Sequence, residues 1–378
     1  MPTYRLSNPF YLWVHFISSI IFILHQQPMS IGGNGVLANA TILVTGGTGS
    51  LGYALVEQLL LHRPARIIVY SRNETSQFIM SRKFEDARLA FWIGDVRDQD
   101  SLHQACQGVD YIFHLAALTH VSFCEEHPQE ALKTNVVGTQ YVIEAAIANR
   151  VKAVIFASTD QAVEPTSCFG MTKAMGENII MNANIVSEST RFIAVRSSNV
   201  LGTHGSVPHV LLDQIKNKKL VSMMDRGKTC FFTPMKQAVA LLLKALQSGI
   251  GGELYTMKMP SCALVHMAEV FIEMCGERDV RLIFTGSAST GKGKIHDILI
   301  SESESRHTVK SDDSYLIVLP LLGMPRLHEH YASYPSMAVG EYTSAEGAMT
   351  KEEIRELLFD SGLLYEVHVS KQAQGSRD

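Results

Sequence analysis

Thr45-Gly46-Gly47-Thr48-Gly49-Ser50-Leu51-Gly52 is the stretch on which the reading of the fold turns. It follows an apolar, β-rich run from Thr41 to Thr45 and opens a helical pattern that continues to Leu61. Gly46, Gly49 and Gly52 form G-x-x-G-x-x-G, a spacing that lets the backbone turn tightly, approach a pyrophosphate and present the first amides of a helix to it. Glycine patterns are common in isolation. The strand before this one and the helix after it give it the context of a dinucleotide-binding turn. Gly46, Thr48, Gly49, Ser50, Leu51 and Gly52 are therefore expected against the linker of a dinucleotide cofactor.

Outward from this turn, short β-rich runs alternate with helical stretches. The strands expected are Thr41 to Thr45, Arg66 to Tyr70, Ala90 to Ile93, Tyr111 to Leu115, Ala153 to Ala157 and Phe192 to Arg196. Between them helices are expected at Leu51 to Leu61, Ser101 to Gln107, Pro128 to Asn149 and Met171 to Asn184. This rhythm predicts an α/β fold with a doubly wound parallel (Rossmann) sheet, whose ligands sit at the carboxyl ends of the strands. Residues 41–200 form the nicotinamide-dinucleotide domain in this reading, and residues 201–378 a smaller substrate-binding lobe that ends in an amphipathic helix from Lys351 to Leu364. Thr350 is the expected N-cap of that helix, with Glu353 completing a capping box. The polar stretch Ser301 to Lys310 reads as a loop of solvated charges.

The end of the second strand bears on the choice of cofactor. An Asp or Glu about 20 residues past the glycines would accept from the adenosine ribose hydroxyls. This chain has Tyr70-Ser71-Arg72 there, and a hydroxyl with a forked guanidinium suits a 2'-phosphate. Ser71 and Arg72 thus favour NADP, while Glu74 leaves NAD open. After the third strand, Asp95 and Val96 stand where a carboxylate would accept from an adenine amino group; after the fourth, Ala116 and Ala117 supply small residues beside the nicotinamide ribose.

Composition narrows the rest. The chain has 378 residues, 46% hydrophobic and 19% charged, with a formal net charge of -4, which gives no electrostatic reason to expect nucleic acid. Six scattered cysteines, without C-x-x-C or a His pair at ligand spacing, suggest neither a disulfide framework nor a metal site, and fit a reducing cytoplasm. The run from Phe10 to Leu24 is shorter than the ~20 residues a spanning helix needs. Membrane contact is expected only if this leader, residues 1–40, is a functional part of the chain. Gly286 to Gly293 imitates a P-loop, but Gly293 stands where a Ser or Thr would bind magnesium, so a substrate loop is the simpler reading.

Several segments together carry a family likeness: Thr45 to Gly52, VYSRNE at Val69 to Glu74, GDVRD at Gly94 to Asp98, HLAALTHV at His114 to Val121, KTNVVGT at Lys133 to Thr139, STD at Ser158 to Asp160 and KIHDILISE at Lys294 to Glu302. They resemble the extended short-chain dehydrogenase/reductase superfamily, and within it the inverting UDP-N-acetylglucosamine 4,6-dehydratases and related polysaccharide-biosynthesis proteins. The resemblance runs from about Ala40 to the C-terminal helix. It implies a UDP-sugar substrate, oxidation at C4, loss of water across C5 and C6, and return of the hydride to C6. It also implies a homo-oligomer.

The resemblance assigns Thr159 and Asp160 to the acid-bearing segment and Lys173 to the nicotinamide ribose. An acid role demands a carboxyl whose pKa burial has raised. Three positions depart from the pattern. Phe169 replaces the usual Tyr base, where some members carry Met; Gln161 replaces a Lys, and an amide cannot abstract a proton at neutral pH; Cys230 replaces an Arg that would grip the diphosphate. Arg226, Lys292 and Lys294 are the candidates to take over that grip. His120 and Glu125 lie where a sugar ring is expected, and His120 is also a candidate for the missing base. Asn199 and Asn135 match family positions as either substrate contacts or helix braces. A 4,6-dehydratase is the function implied. A C4 epimerase or oxidoreductase, which is less affected by Gln161, and a degenerate binding protein are the alternatives.

Overall fold

The computed structural model describes residues 35–203, 205–223, 225–276, 279–285, 294–321 and 324–363. The apolar run from Phe10 to Leu24, the P-loop-like stretch 286–293 and, within it, Lys292 lie outside the described residues.

Nine strands form the central sheet: β1 Thr41–Thr45, β2 Arg66–Ser71, β3 Leu89–Ile93, β4 Tyr111–His114, β5 Ala153–Thr159, β6 Arg191–Ser197, β7 Leu254–Met257, β8 Thr308–Lys310 and β9 Tyr315–Val318. Their spatial order is β8-β9-β7-β6-β5-β4-β1-β2-β3. Pairing is parallel from β3 through to β7, and β9 and β8 close that edge in antiparallel register. Strand order reverses at β1, which pairs with β2 on one side and β4 on the other, so a crevice opens at their carboxyl ends. The doubly wound parallel sheet expected from the sequence is therefore the fold.

The strands are apolar on both faces, as a sheet covered on two sides requires. Ile42 and Val44 bury into one layer with Leu55, Val56 and Leu59 of the helix Ser50–Leu61. Leu43, between them, faces the other layer with Val142 and Ala146 of the helix Gly138–Ala148. Both sets are 0% exposed, and each such Leu, Ile or Val contributes roughly 1.5–3 kcal/mol by leaving water.

Beyond residue 200 the chain contributes to both layers of the molecule. It adds β7, β8 and β9 to the sheet, and elsewhere builds a third core around Leu201, Phe232, Met267, Phe271 and Ile354. The terminal helix spans Lys351–Asp360 and begins with the capping box of Thr350 and Glu353. A boundary at 200 thus marks a change of rhythm, and the sheet itself continues past it.

Ser301 to Lys310 is not a loop of solvated charges. Ser301 caps a short helix, Glu302–Ser305, with Glu304 completing the capping box, and β8 follows. Glu304 turns inward because the fully buried Arg196 of β6 requires a second carboxylate, and no periodicity in the sequence signals such a partner. The helix Glu74–Phe84, started by an Asn73 side chain that accepts from Ser76 N at 2.9 Å, is also additional to the expected elements. Its Phe78 and Ile79 point outward, which disguises any amphipathic pattern.

Candidate active site

Two cavities meet at the carboxyl ends of the central strands. The first, of about 720 Å³, is lined by Gly46, Thr48, Gly49, Ser50, Leu51, Gly52, Ser71, Arg72, Asp95, Val96, Ala116, Ala117, Thr159 and Lys173, which gathers every residue expected at the cofactor. Gly46 takes φ +69°, and a Cβ there would lie 2.8 Å from Ala116 N, so only glycine lets the turn pass this close to the end of β4. At Gly52 a Cβ would meet Gly46 O at 2.6 Å. The cradle also contains two buried hydroxyls, those of Thr134 and Ser158, that have no hydrogen-bond partner among the described residues. Backbone drawn in at the glycines and unsatisfied donors facing the same space fit a polar, elongated ligand such as a dinucleotide.

Arg72 is 57% exposed and 3.9 Å from Asp95, a weak attachment that leaves its guanidinium available to a phosphate. Asp95 is engaged elsewhere. Burial pushes its carboxyl up, but the Arg97 bonds, at 2.6 Å from Nη2 and 3.0 Å from the backbone amide, outweigh burial and hold it below the usual range.

Lys173 lies on the helix Cys168–Val186, one turn after Phe169. Its Nζ donates to Ala157 O at 2.7 Å and sits 3.9 Å from the centre of the Phe156 ring. Burial in this apolar setting pulls its pKa down to about 7. Phe169, 6% exposed, packs with Cys124 and Ala131 and lines the first cavity without a polar atom to offer. His114, at the end of β4, shares hydrogen bonds with Thr45 at 2.7 Å and Thr139 at 3.0 Å; burial first, then the Lys173 charge, holds it neutral with a pKa of about 3.

The second cavity, of about 560 Å³, is lined by Glu125, Asp160, Gln161, Asn199, Lys228, Cys230, Lys294 and Asp297 among others. Asp160 accepts from Thr159 Oγ1 at 2.9 Å and from Ser198 Oγ at 2.6 Å. Burial, then the negative charge of Asp297, raises its pKa to about 7, against the two hydroxyls and Lys228. This is a carboxyl able to stay protonated near neutrality. Thr159 lines the first cavity and Asp160 the second, so the end of β5 is the wall between them.

Glu125 lines the second cavity and accepts from Cys168 N at 2.7 Å, steadying the start of the Lys173 helix. Asn199 lines both cavities and donates to Phe231 O at 2.9 Å. Asn135 is a brace: a π-helical turn at Lys133–Val137 points it inward, where it donates to Leu118 O at 2.9 Å and accepts from Leu118 N at 2.8 Å. Two expected substrate residues sit apart. Arg226 is exposed, 5.8 Å from the centre of the Phe284 ring, and His120 packs against Gly205; neither is among the residues lining either cavity. Lys228 and Asp297 were not singled out from the sequence. Lys228 Nζ donates to Asp297 Oδ1 at 2.7 Å, and the signal that could have found them was the motif each lies in, DRGKTCF and KIHDILISE. Cys230 is a buried thiol, its pKa raised well above normal by burial.

Among the described residues no His, Cys, Asp and Glu cluster could hold a metal, and no helix is long and apolar enough to cross a membrane.

A doubly wound sheet with a glycine turn after β1, a buried lysine on the helix after β5, and a second cavity completed by the later segments define an extended short-chain dehydrogenase/reductase. Residues 42–319 match the family described as polysaccharide biosynthesis protein, and the chain belongs to that family. It is 35% identical to a UDP-N-acetylglucosamine 4,6-dehydratase (inverting) of Campylobacter jejuni, over 73% of this chain and 82% of that protein. It is also 35% identical to a UDP-glucose 4-epimerase of Rickettsia akari, over 74% of this chain and 82% of that protein. Among solved structures, Pen from Bacillus thuringiensis superposes with a TM-score of 0.78 at 33% identity, covering 86% of this chain and 99% of that one. The resemblance read from the motifs is thus borne out.

Proposed function

We propose that the chain is an NADP-dependent sugar-nucleotide 4,6-dehydratase that inverts C5 of a UDP-N-acetylglucosamine-like substrate for surface polysaccharide or glycan synthesis. It would work in the cytoplasm, as a homo-oligomer. The observation that carries the reading is Asp160, a buried carboxyl held near pKa 7 on the wall between the two cavities. An epimerase has no leaving hydroxyl and so no use for an acid there.

A bound nicotinamide would supply reversible hydride transfer beside the wall that Thr159 and Asp160 form. The glycine turn and the amides of Gly49 to Gly52 would hold the pyrophosphate, Arg72 and Ser71 the 2'-phosphate, and Lys173 the nicotinamide ribose. In the second cavity Lys228, Lys294 and Asn199 would face the sugar nucleotide, and Asp160 would protonate the C6 hydroxyl as it departs. Lys292 remains a candidate for the diphosphate, and Glu125, which lines the second cavity, for the sugar.

A C4 epimerase is the second reading, favoured by Gln161, which leaves no base at the usual C5 position, and by the likeness to an enzyme named as an epimerase. A chain that binds the coenzyme without turnover is the third, favoured by Phe169 and Cys230. Incubation with UDP-N-acetylglucosamine and NADP in deuterated water separates them. A 4-keto-6-deoxy product with deuterium at C5 supports the dehydratase, a C4 epimer without deuterium the epimerase, and unchanged substrate the binding protein.

A further inference from the structure

Gln161 leaves the proposed dehydration without its usual base, yet the cavity that Gln161 lines contains an amine from a distant segment. We infer that Lys294 is the C5 base: its amine removes the C5 proton of the 4-keto sugar while Asp160 protonates the departing C6 hydroxyl. This inference rests on the dehydratase reading above.

Lys294 lines the same cavity as Asp160 and Gln161, and its Nζ donates to Val163 O, just past Gln161 on the chain. An amine has thus arrived beside the segment that lost one. Among the described residues, Lys228, Lys173 and His120 are committed or remote. Lys228 Nζ is held by Asp297 Oδ1 at 2.7 Å and Lys294 O at 2.9 Å; burial pulls its pKa down, but its Cys230 and Asp297 neighbours hold the ammonium above the ordinary range, which suits a fixed cation and not a base. Lys173 faces the first cavity and Ala157 O, and His120 lines neither.

Unlike Lys228, which is ion-paired, Lys294 has a neutral carbonyl as its partner, which a substrate atom can replace. Burial lowers its pKa, assisted by the Lys228 charge and opposed by Asp160, Glu164 and Asp297, the charged groups that face it. The step balances. The C5–H electron pair becomes the C5=C6 bond, the C6–O bond breaks, and the oxygen leaves as water with the Asp160 proton. Lys294 ends as ammonium and Asp160 as carboxylate; the first then releases a proton to solvent and the second takes one up.

The test compares the full chain with Lys294→Gln, Lys294→Arg and the double variant Lys294→Gln/Gln161→Lys, in deuterated water with NADP and UDP-N-acetylglucosamine. Coenzyme titration calorimetry and thermal unfolding report on folding independently of turnover. The expected result is at least a ~100-fold loss of dehydrated product in both single variants. Coenzyme binding should stay near wild type, C4 oxidation should fall far less than dehydrated product, and Gln161→Lys should recover at least ~10-fold. If Lys294→Gln does not fold, Lys294→Arg decides, because it keeps a donor for Val163 O but cannot accept a proton at neutral pH. Product formation in either single variant within about threefold of wild type overturns the inference and leaves the dehydratase reading standing. Equal loss of C4 oxidation overturns it too, assigning Lys294 to substrate binding. A wild-type chain that yields no C5-deuterated product overturns both.

Discussion

Ser198 Oγ, at the end of β6, donates a 2.6 Å hydrogen bond to Oδ2 of Asp160, at the end of β5. Neighbouring strands thus aim a hydroxyl and a carboxyl at each other across the wall of the second cavity. The bond stabilises the charged carboxylate, whereas burial and Asp297 favour the protonated form and win, so that Asp160 titrates at about 7. A general acid with that pKa loses its proton as pH rises, and turnover is expected to fall above about pH 7. Ser198→Ala removes a pull toward the charged form, so the alkaline limb should move to higher pH; a pH–rate profile reads this directly. Asp160→Asn should erase the limb and lower dehydration by ~10²–10⁴-fold.

The same shift acts on stability. Asp160 titrates at 3.8 in a free chain and at about 7 when folded, so its contribution to stability is complete below 3.8 and is lost as pH rises to about 7. Denaturant unfolding at several pH values should show this loss in the wild-type chain and not in Asp160→Asn.

Arg72 tests the choice of coenzyme. It is 57% exposed and 3.9 Å from Asp95, so truncating it disturbs little of the fold. A charge-assisted bond to a 2'-phosphate contributes ~1.5–3 kcal/mol, and Arg72→Ala should therefore weaken NADP about 10- to 100-fold while leaving NAD nearly unchanged. Calorimetric titration with both coenzymes measures the ratio, and equal weakening of the two would remove Arg72 from the 2'-phosphate.

What was legible in the sequence follows the range of the interactions involved. Thr45 to Gly52 specifies its turn through contacts between near neighbours, and the alternating apolar runs specify the parallel strands through period and length. The expected cofactor residues come together because each follows a strand of one sheet. The second cavity was harder to read. Lys228 and Asp297 join Asp160 and Lys294 only through long excursions of the chain, and although each lies in a family-like motif, nothing local separates the inward Lys228 from the exposed Arg226 two residues before it. Glu304 was hidden for the same reason: its partner, Arg196, lies far away in sequence and deep in the core.

Gly52 and Gly49 should respond differently to alanine. At Gly52 the new methyl would stand 2.6 Å from Gly46 O and 2.7 Å from Gly47 Cα, both backbone atoms that cannot move aside without reshaping the turn. At Gly49 the nearest atom is Gly46 O at 3.2 Å, and φ is -71°, an ordinary value. Gly52→Ala should thus cost ~1–3 kcal/mol of stability as well as coenzyme affinity. Gly49→Ala should spare most of the stability and lose affinity by crowding the cleft it lines. Thermal unfolding paired with coenzyme titration separates the two effects.

Arg196 is fully buried, and its guanidinium serves three partners: Glu177 at 2.7 Å, Glu304 at 2.9 Å and Leu299 O at 2.8 Å. It ties the helix bearing Lys173 to the segment that follows Asp297. Arg196→Met leaves the buried Glu177 and the half-buried Glu304 without their cation, an imbalance expected to cost ~3–5 kcal/mol in denaturant unfolding. Lysine should not rescue it, since one ammonium cannot reproduce the fork across both acids. Burial pushes the Glu304 carboxyl up, but Arg196 more than offsets this and holds it below 4.5; the stability it contributes is present above 4.5 and is lost as pH falls through the lowered value. Arg196→Met should shrink that acid loss, leaving only what the Ser301 hydrogen bonds to Glu304 sustain. Adding Glu177→Gln and Glu304→Gln to Arg196→Met removes both unpaired charges, and a chain that then regains most of the lost stability would locate the cost in those charges. No recovery would instead assign it to lost packing around the Arg196 side chain.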